Sequence, residues 1–574
     1  MQMYHNALNP SQRSAVDANN EPVLIIAGPG TGKTKTLTSR IAYLLAEKNV
    51  PADQIVALTF TNKAAREVRE RLQQMMGEGV ALPQVATFHA LSLSLLRTRD
   101  ELPPIIAESD RQAIIKALAK APEGKRLNPR DLSLQLSLAK TSLTEPEPTL
   151  RALLYQYNQR LQECGLYDFD DLLLQANALL REQVPQYKHV LVDEFQDTSE
   201  LQYEILKRLA AHGTLFAIGD PNQSIYAFRG AGAAMFGRFM QDYARAQQIT
   251  LADNYRSCPH IVRLANAVFP ASPQLIPNIS GEGQVKIMQT LNEYTEATYI
   301  LNQIEQGIGG SDLLKAGNAD GTAQPRDYAV LYRTHRAAGA LQRIFREAGI
   351  PHQIVGEGSP YARPDMQAVV AGLRYLYDAT PPSVYKKYTS TQLAALFDGM
   401  AYDEEKPVTE AAGQIADALG LGQYEHLRQF QSMLVQFGVG KHGLAAALHH
   451  IDEIRDSEFY DVSLNAVSLM TIHAAKGLEF PRVFLIAAEE DILPKVGTAD
   501  IEEERRLFYV AITRAKDTLE ILHAKMRGGE PASLTRFIRE LPAGVVECVV
   551  DPHLAQSERR FKKRAAKRAQ TSLF

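Results

Sequence analysis
The segment Gly28-Pro29-Gly30-Thr31-Gly32-Lys33-Thr34 has the residue types needed to hold phosphate. Glycines let successive backbone N–H groups turn inward on anionic oxygens at the start of a helix, where the unpaired amides favour negative charge. A lysine on the next turn can reach β- and γ-phosphates, and a hydroxyl beside it can ligate Mg²⁺; Lys33 and Thr34 stand at those places. A second segment, HVLVDEF at 189–195, ends an apolar run on two adjacent carboxylates. Asp193 would face the metal, and Glu194 would stand beside the γ-phosphate as general base on a water molecule. On its own an Asp-Glu pair more simply caps a helix N-terminus. Beside a phosphate loop it completes the apparatus for hydrolysing a nucleoside triphosphate.

Such loops need strands to carry them. VLIIAG (23–28), IVALTF (55–60), HVLVDEF (189–195), LFAIGD (215–220) and ITLAD (249–253) are apolar nearly throughout, with amphipathic helical stretches between them. Strands buried on both faces of a parallel sheet have this pattern. The phosphate loop follows the first of them and precedes KTLTSRIAYLLAE, a helical stretch. A second series, YAVLYR (328–333), VSLMTI (467–472), RVFLIAAEE (482–490) and TLEILHA (518–524), predicts a second α/β core. Between the strands, 92–160 and 377–463 carry apolar residues at helical spacing, as in RQAIIKALAK and AAALHHIDEI, and read as helical insertions.

The chain has 574 residues, 45% hydrophobic and 22% charged, enough for about three to five cores. With 62 basic against 66 acidic side chains the net charge is −4, which neither favours nor excludes nucleic acid, since a basic groove can be offset elsewhere. Cys164, Cys258 and Cys548 lie far apart with no metal-ligand spacing, so neither a zinc module nor a disulfide framework is expected. The polar N-terminus and the lack of a long apolar run predict a cytoplasmic protein with no leader and no membrane span.

With these two segments included, LNPSQRSAV, GPGTGKT, ALTFTNKAAREVRERL, ATFHA, YDFDDLL, VDEFQDTS, IGDPNQSIYAFRGA, NYRS, VLYRTHRA, LMTIHAAKGLEF and EEERRLFYVAITRAKD occur in that order. Together they resemble the UvrD/Rep/PcrA-type superfamily 1 DNA helicases. The resemblance implies an α/β fold of two RecA-like P-loop parallel-sheet domains, each interrupted by a helical insertion subdomain. The first domain would comprise 1–91 and 161–262 with insertion 92–160, and the second 263–376 and 464–550 with a reduced insertion 377–463. A basic flexible tail, 551–574, would follow.

By the same resemblance ATP and Mg²⁺ are the cofactors, held by Gly28, Pro29, Gly30, Thr31, Gly32, Lys33 and Thr34 with Asp193 on the metal. Gln12 would read the edge of adenine, Tyr255 and Lys35 would sandwich it, and Glu479 would meet the ribose. Lys35 stands where an arginine is frequent, which predicts weaker stacking. Lys33, Glu194, Gln223, Arg256 and Arg514 form the expected catalytic set. The two arginines would clamp the γ-phosphate, and Gln223 would link it to the DNA site. For either arginine, a surface ion pair is the alternative role.

Single-stranded DNA would stack on Phe60, Tyr226 and Phe228, with Thr61, His89, Arg229, Arg333 and His473 nearer its backbone. Core packing is the alternative for Phe60, as it is for Phe88. Phe228 replaces a tryptophan usual in the family, and the chain contains no Trp. His335 stands where the family often has Asn. The implied activity is ATP-driven 3′-to-5′ travel along single strands, with unwinding of duplex or displacement of bound proteins in repair and replication. Single strands and single-strand/duplex junctions are the expected partners, and the protein is expected to be a monomer or weak oligomer.

Three features depart from the pattern or lie outside it. The second insertion is short for the family and lacks a Gly-rich helix-hairpin-helix signature, which predicts a weak grip on duplex. After the last motif HAKMRGGEPASLTRFIREL has no aromatic before Phe537, leaving Met526 as the apolar candidate for a strand-separating wedge. The terminal QTSLF resembles the short peptide that docks on sliding clamps, with Gln570, Leu573 and Phe574 as its specified positions. A helicase–nuclease is disfavoured because little chain follows the second core. A clamp-tethered single-strand-binding adapter with a nucleotide switch is the alternative from another class, although a pure switch has no need of a base and two charge clamps.

Overall fold
The protein is described by a computed structural model over residues 8–550, apart from 98–102, 227–229, 310–322, 357–363, 380–387, 401–404, 452–459 and scattered single residues and pairs. The expected sites Phe228, Arg229, Gln570, Leu573 and Phe574 lie outside the described residues.

Six strands make the first sheet: β1 (Val23–Ala27), β2 (Ile55–Thr59), β3 (Gln84–Thr87), β4 (His189–Val192), β5 (Thr214–Gly219) and β6 (Gln247–Leu251), in the order β3-β2-β4-β5-β1-β6. Every pairing is parallel. Alternate residues of each strand feed two separate cores. Leu24, Val56, Leu58, Val190 and Val192 lie on one face, and Val23, Ile25, Ile55, Ala57 and Leu191 on the other. Covering both faces with helices leaves no polar side to alternate with, which explains the continuous apolar runs. The parallel arrangement also sends all six carboxyl ends to one edge, where open α/β sheets bind ligands.

The second sheet has seven parallel strands. They are β7 (Gln284–Thr290), β8 (Tyr328–Tyr332), β9 (His352–Val355), β10 (Val467–Thr471), β11 (Phe480–Leu485), β12 (Ala515–Ala524) and β13 (Glu547–Val550), ordered β9-β10-β8-β11-β12-β7-β13.

Each insertion has its own core. Helices Glu108–Lys120, Pro129–Thr141 and Pro148–Glu163 pack Ile115, Leu132, Leu136, Leu153 and Tyr157 together. A bridge between Ile105 and Tyr167 ties the way in to the way out. At that base the Lys140 ammonium lies 2.8 Å from both Asp168 and Asp171. The second insertion collects Pro364–Asp378, Ser390–Asp398, Val408–Ala418 and Glu425–Leu434 around Val369, Phe397, Ile415 and Phe430. The domain limits expected at 92, 160, 262 and 377 fall inside helices Phe88–Arg97, Pro148–Glu163, Pro259–Val268 and Pro364–Asp378. A helix belongs to the core its apolar face covers: Leu96 packs on Leu172 and Leu179 of the sheet unit, Ile261 and Leu264 on the second sheet, and Met366 and Val369 in the insertion.

Candidate nucleotide and DNA site
The phosphate loop leaves β1 and enters helix Lys33–Ala46 through two left-handed glycines, Gly30 at φ 70° and Gly32 at φ 83°. A side chain on Gly30 would also collide, since its Cβ would stand 2.5 Å from that of Arg256. The loop folds on itself: Thr31 Oγ1 donates to the Gly28 carbonyl at 2.8 Å, and the Lys33 ammonium to the Ala27 and Gly28 carbonyls at 3.1 and 3.3 Å. From beyond β6, Asn254 Nδ2 donates to the Pro29 carbonyl at 2.7 Å and the Tyr255 N–H to the Gly30 carbonyl at 2.8 Å. The NYRS segment is thus bound directly to the phosphate loop. Thr34 is half-buried on the first turn of the helix.

Asp193 and Glu194 follow β4 at the same edge. Burial, with Glu194 beside it, pushes the Asp193 carboxyl up to about 7 against the opposing pull of Lys33. Burial would raise Glu194 as well, but Lys33, Lys476, Gln196 and Arg514 hold it below its ordinary value. It therefore stays ionised. Glu194 adopts φ 51°, a left-handed conformation uncommon outside glycine, of the kind kept where function fixes a side-chain direction.

From Glu194 a hydrogen-bonded chain crosses the molecule. The Gln196 amide donates to the Glu194 carboxylate, and its Oε1 accepts from the Asp220 N–H at 2.9 Å. Gln223 Nε2 donates to Asp220 at 2.8 Å, and Gln223 Oε1 accepts from Arg514 Nη2 at 3.2 Å. Arg514 precedes β12 of the second sheet and is 1% exposed, which removes the surface ion-pair alternative. Burial and the charge of Arg256 bring its guanidinium down to about 9, with Glu194 and Glu479 opposing.

Other contacts close the seam between the two sheets. Arg256 Nε lies 2.6 Å from Glu479, which also takes Lys516 at 2.7 Å. The two cations hold Glu479 below its ordinary value despite partial burial. Lys476 donates to both oxygens of buried Asp197 at 2.7 and 2.6 Å and to the Gln223 carbonyl at 2.8 Å, and its ammonium lies 4.8 Å from the Tyr226 ring centroid. Gln196, Asp197, Asp220 and Lys476 are not among the sites expected from sequence. All four stand inside the quoted motif blocks, but nothing in a sequence pairs side chains 279 positions apart.

Beside the phosphate loop, Gln12 is 2% exposed and donates to the Thr31 carbonyl at 2.9 Å. A Cβ on Gly32 would stand 2.7 Å from Gln12 Nε2 and 3.9 Å from the Lys35 Cβ, so Gln12 and Lys35 flank this glycine. Tyr255 is 47% exposed, with its ring edge fixed at the hydroxyl by Asn9 Nδ2 at 3.0 Å.

The expected DNA residues divide into groups. Phe60, just after β2, and Tyr226, beyond the short turn Pro221–Gln223 that follows β5, bring their rings to 5.1 Å between centroids. Phe88 is buried in the first core. Thr61 caps helix Asn62–Met76, its Oγ1 accepting from the Ala64 N–H at 3.1 Å. His89 meets Phe169 edge-on at 5.9 Å. Arg333 follows β8 and is held by Glu504, with Nη2 2.7 Å from Oε1 and Nε 3.1 Å from both oxygens. His473 lies in the turn after β10, its carbonyl accepting from the Lys476 N–H at 3.3 Å. His335 starts a short helical turn two residues beyond Arg333, its Nδ1 3.4 Å from the Tyr332 hydroxyl.

The family model for the UvrD/REP helicase N-terminal domain matches residues 8–244, and that for the UvrD-like helicase C-terminal domain matches 249–395 and 416–526. The chain belongs to the UvrD/Rep helicase family. Its two sheets are the family's two RecA-like domains. Among its relatives, "ATP-dependent DNA helicase UvrD1" of Mycobacterium tuberculosis (strain ATCC 25618 / H37Rv) is 30% identical over 94% of this chain and 86% of the relative. "ATP-dependent DNA helicase PcrA" of Bacillus subtilis (strain 168) gives the same three values, and the PcrA of Staphylococcus epidermidis (strain ATCC 12228 / FDA PCI 1200) is 29% identical over 97% of this chain and 89% of its own length. Among the described residues of this UvrD/Rep chain, no helix is long and apolar enough to cross a membrane, and all three cysteines are free.

Proposed function
We propose that this ATP-dependent DNA helicase hydrolyses ATP at the seam between its two sheets and steps 3′-to-5′ along single-stranded DNA, one nucleotide per ATP. In this reading it separates duplex at junctions and displaces bound proteins, serving repair and replication in the cytoplasm as a monomer or weak oligomer. The observation that carries the reading is the chain Glu194–Gln196–Asp220–Gln223–Arg514. It joins a candidate base on one sheet to a buried guanidinium on the other, so the hydrolytic site is whole only when the two sheets are together. Opening and closing at each turnover then moves the Phe60–Tyr226 platform relative to Arg333 and His473.

The roles proposed follow the geometry. The loop Gly28–Thr34 wraps the phosphates, Lys33 and Arg256 neutralise charge on them, Arg514 completes the clamp and Glu194 draws the proton from the attacking water. Gln12, Tyr255, Lys35 and Glu479 hold the nucleoside. The donor set suits Mg²⁺: Thr34 offers a hydroxyl, and Asp193 is a carboxylate pushed up by burial and by Glu194, a repulsion that a cation would relieve. Those two residues would hold the ion, which when bound supplies positive charge to the phosphate oxygens. Phe228 and Arg229 are proposed to extend the DNA platform, with the two helical insertions as accessory subdomains and the second gripping duplex weakly. Gln570, Leu573 and Phe574 are proposed to dock on a sliding clamp at the end of a basic lead-in; co-elution with the clamp should disappear when the last five residues are removed.

The test is steady-state ATP hydrolysis with and without oligo-dT, beside unwinding of forks bearing either a 3′ or a 5′ tail. Turnover should rise at least tenfold with the strand, only the 3′-tailed fork should open, and Lys33→Ala should abolish both. A basal rate indifferent to DNA overturns the motor reading.

A further inference from the structure
Asn9 stands immediately before helix Pro10–Val16, and its side chain touches both walls of the proposed base site. Its Oδ1 accepts from the Gln12 N–H at 2.7 Å, while its own backbone N–H donates to Gln12 Oε1 at 3.2 Å, a reciprocal capping box. Its Nδ2 donates in the other direction, to Asp253 Oδ2 at 2.7 Å and to the Tyr255 hydroxyl at 3.0 Å. Asp253 is steadied in turn by Asn278 Nδ2, 3.0 Å from its second oxygen.

These bonds decide what Gln12 can still offer. One N–H of its carboxamide is spent on the Thr31 carbonyl at 2.9 Å, and its oxygen has one lone pair on the Asn9 N–H. Turning the amide over would set nitrogen against N–H and oxygen against carbonyl, so one donor and one acceptor remain in a fixed order. Adenine presents N7 as acceptor and N6–H as donor, which such a carboxamide matches as a pair. Guanine presents acceptors at both places and leaves the Gln12 oxygen facing another oxygen. The Tyr255 ring is 47% exposed, with little packing to hold it at one angle, and the bond to Asn9 supplies the restraint.

We propose that Asn9 is a positioning residue that determines nucleotide specificity, coupling the edge-reading Gln12 to the stacking Tyr255 so that adenine is chosen over guanine. The proposal rests on the function proposed for the site, in which the base lies between Gln12 and Tyr255. Asn9 acts through these neighbours and need not touch the nucleotide.

Serine at position 9 separates this role from simple helix capping. Serine caps a helix about as well as asparagine but is too short to reach Asp253 and Tyr255. The measurement is DNA-stimulated hydrolysis of ATP and of GTP by the full chain, with circular dichroism to confirm folding. Asn9→Ser, which loses the two bonds from Nδ2, should raise KM for ATP about threefold, and Asn9→Ala, which loses the cap as well, about tenfold. In both, the loss should fall on KM more than on kcat; the preference for ATP over GTP should shrink in Asn9→Ala, which also loses the bond to the Gln12 N–H that anchors the edge-reading residue. Tyr255→Phe should resemble Asn9→Ser, and Tyr255→Ala should exceed it. If Asn9→Ser matches the wild type in KM and in ATP/GTP preference while Tyr255→Ala does not, Asn9 is only a cap and the proposal is overturned. If Tyr255→Ala and Gln12→Ala also leave KM for ATP unchanged, the base sits elsewhere and the reading beneath the proposal falls with it.

Discussion
At the scale of single residues, the site is defined by charges kept apart from water. Glu194 is ionised because four partners outweigh its burial, whereas burial and the charge of Glu194 raise its neighbour Asp193 in spite of Lys33. Replacing Glu194 with Gln preserves shape and removes the proposed base. Turnover at saturating ATP should fall about 10²–10⁴-fold with nucleotide affinity retained, which single-turnover hydrolysis beside equilibrium nucleotide binding can check. Much of this site is legible in the amino-acid sequence alone, because the phosphate loop and the Asp-Glu pair are local in the chain. Gln196 and Asp220 are not. A glutamine two positions from a candidate base has no distinguishing type or spacing, and its role arises only when β4 and β5 lie side by side.

Among the elements, the short hairpin of Met526–Arg527 with Glu530–Pro531 is the least self-sufficient. Two left-handed glycines, Gly528 and Gly529, make its turn. So small a ribbon does not hold its shape alone. Arg527 ties it down, with Nε 2.7 Å from Glu489 and Nη2 2.7 Å from Glu296, both carboxylates buried. One guanidinium faces two acids, and burial pushes Glu296 up to about 7 with Arg527 opposing. Arg527→Ala would strand the carboxylates and should cost about 3–5 kcal/mol in denaturant unfolding. The sign of the pH effect follows from the raised value. The fold favours protonated Glu296, so its contribution is complete below the ordinary carboxylate range and lost as pH rises through about 7. Glu296→Gln should therefore flatten the plot of Tm against pH between about 5 and 8.

The strands expected from apolar runs are present. Those without such runs, β3, β7, β9 and β13, escape a sequence reading, since QVAT, QVKIMQT, HQIV and ECVV mix polar with apolar residues. Three of them, β3, β9 and β13, are edge strands, where one side of the ladder is open and polar residues cost little.

For the whole molecule, the question is what holds two sheets in register while letting them part. Lys476 and Asp197 form a buried cross-seam pair, with side chains 7% and 0% exposed. Removing the lysine takes the counter-charge from a buried carboxylate. Lys476→Ala should lower stability by about 3 kcal/mol, and should reduce DNA-stimulated turnover more than basal turnover because Lys476 also faces the Tyr226 ring. Thermal unfolding beside a titration of turnover against oligo-dT measures both. A uniform loss of turnover would assign the pair to folding alone.

Among the described residues, the fully buried apolar side chains of each helical insertion form a cluster of their own, apart from the clusters on the two sheets. Changes confined to those clusters can therefore reshape an insertion while the sheet beneath keeps its own packing, provided that the Lys140 pairing with Asp168 and Asp171 at the base is kept. A lineage could retune which nucleic-acid architecture it engages without rebuilding its fuel chemistry, and a designer could graft a foreign module at the Ile105–Tyr167 neck by the same logic.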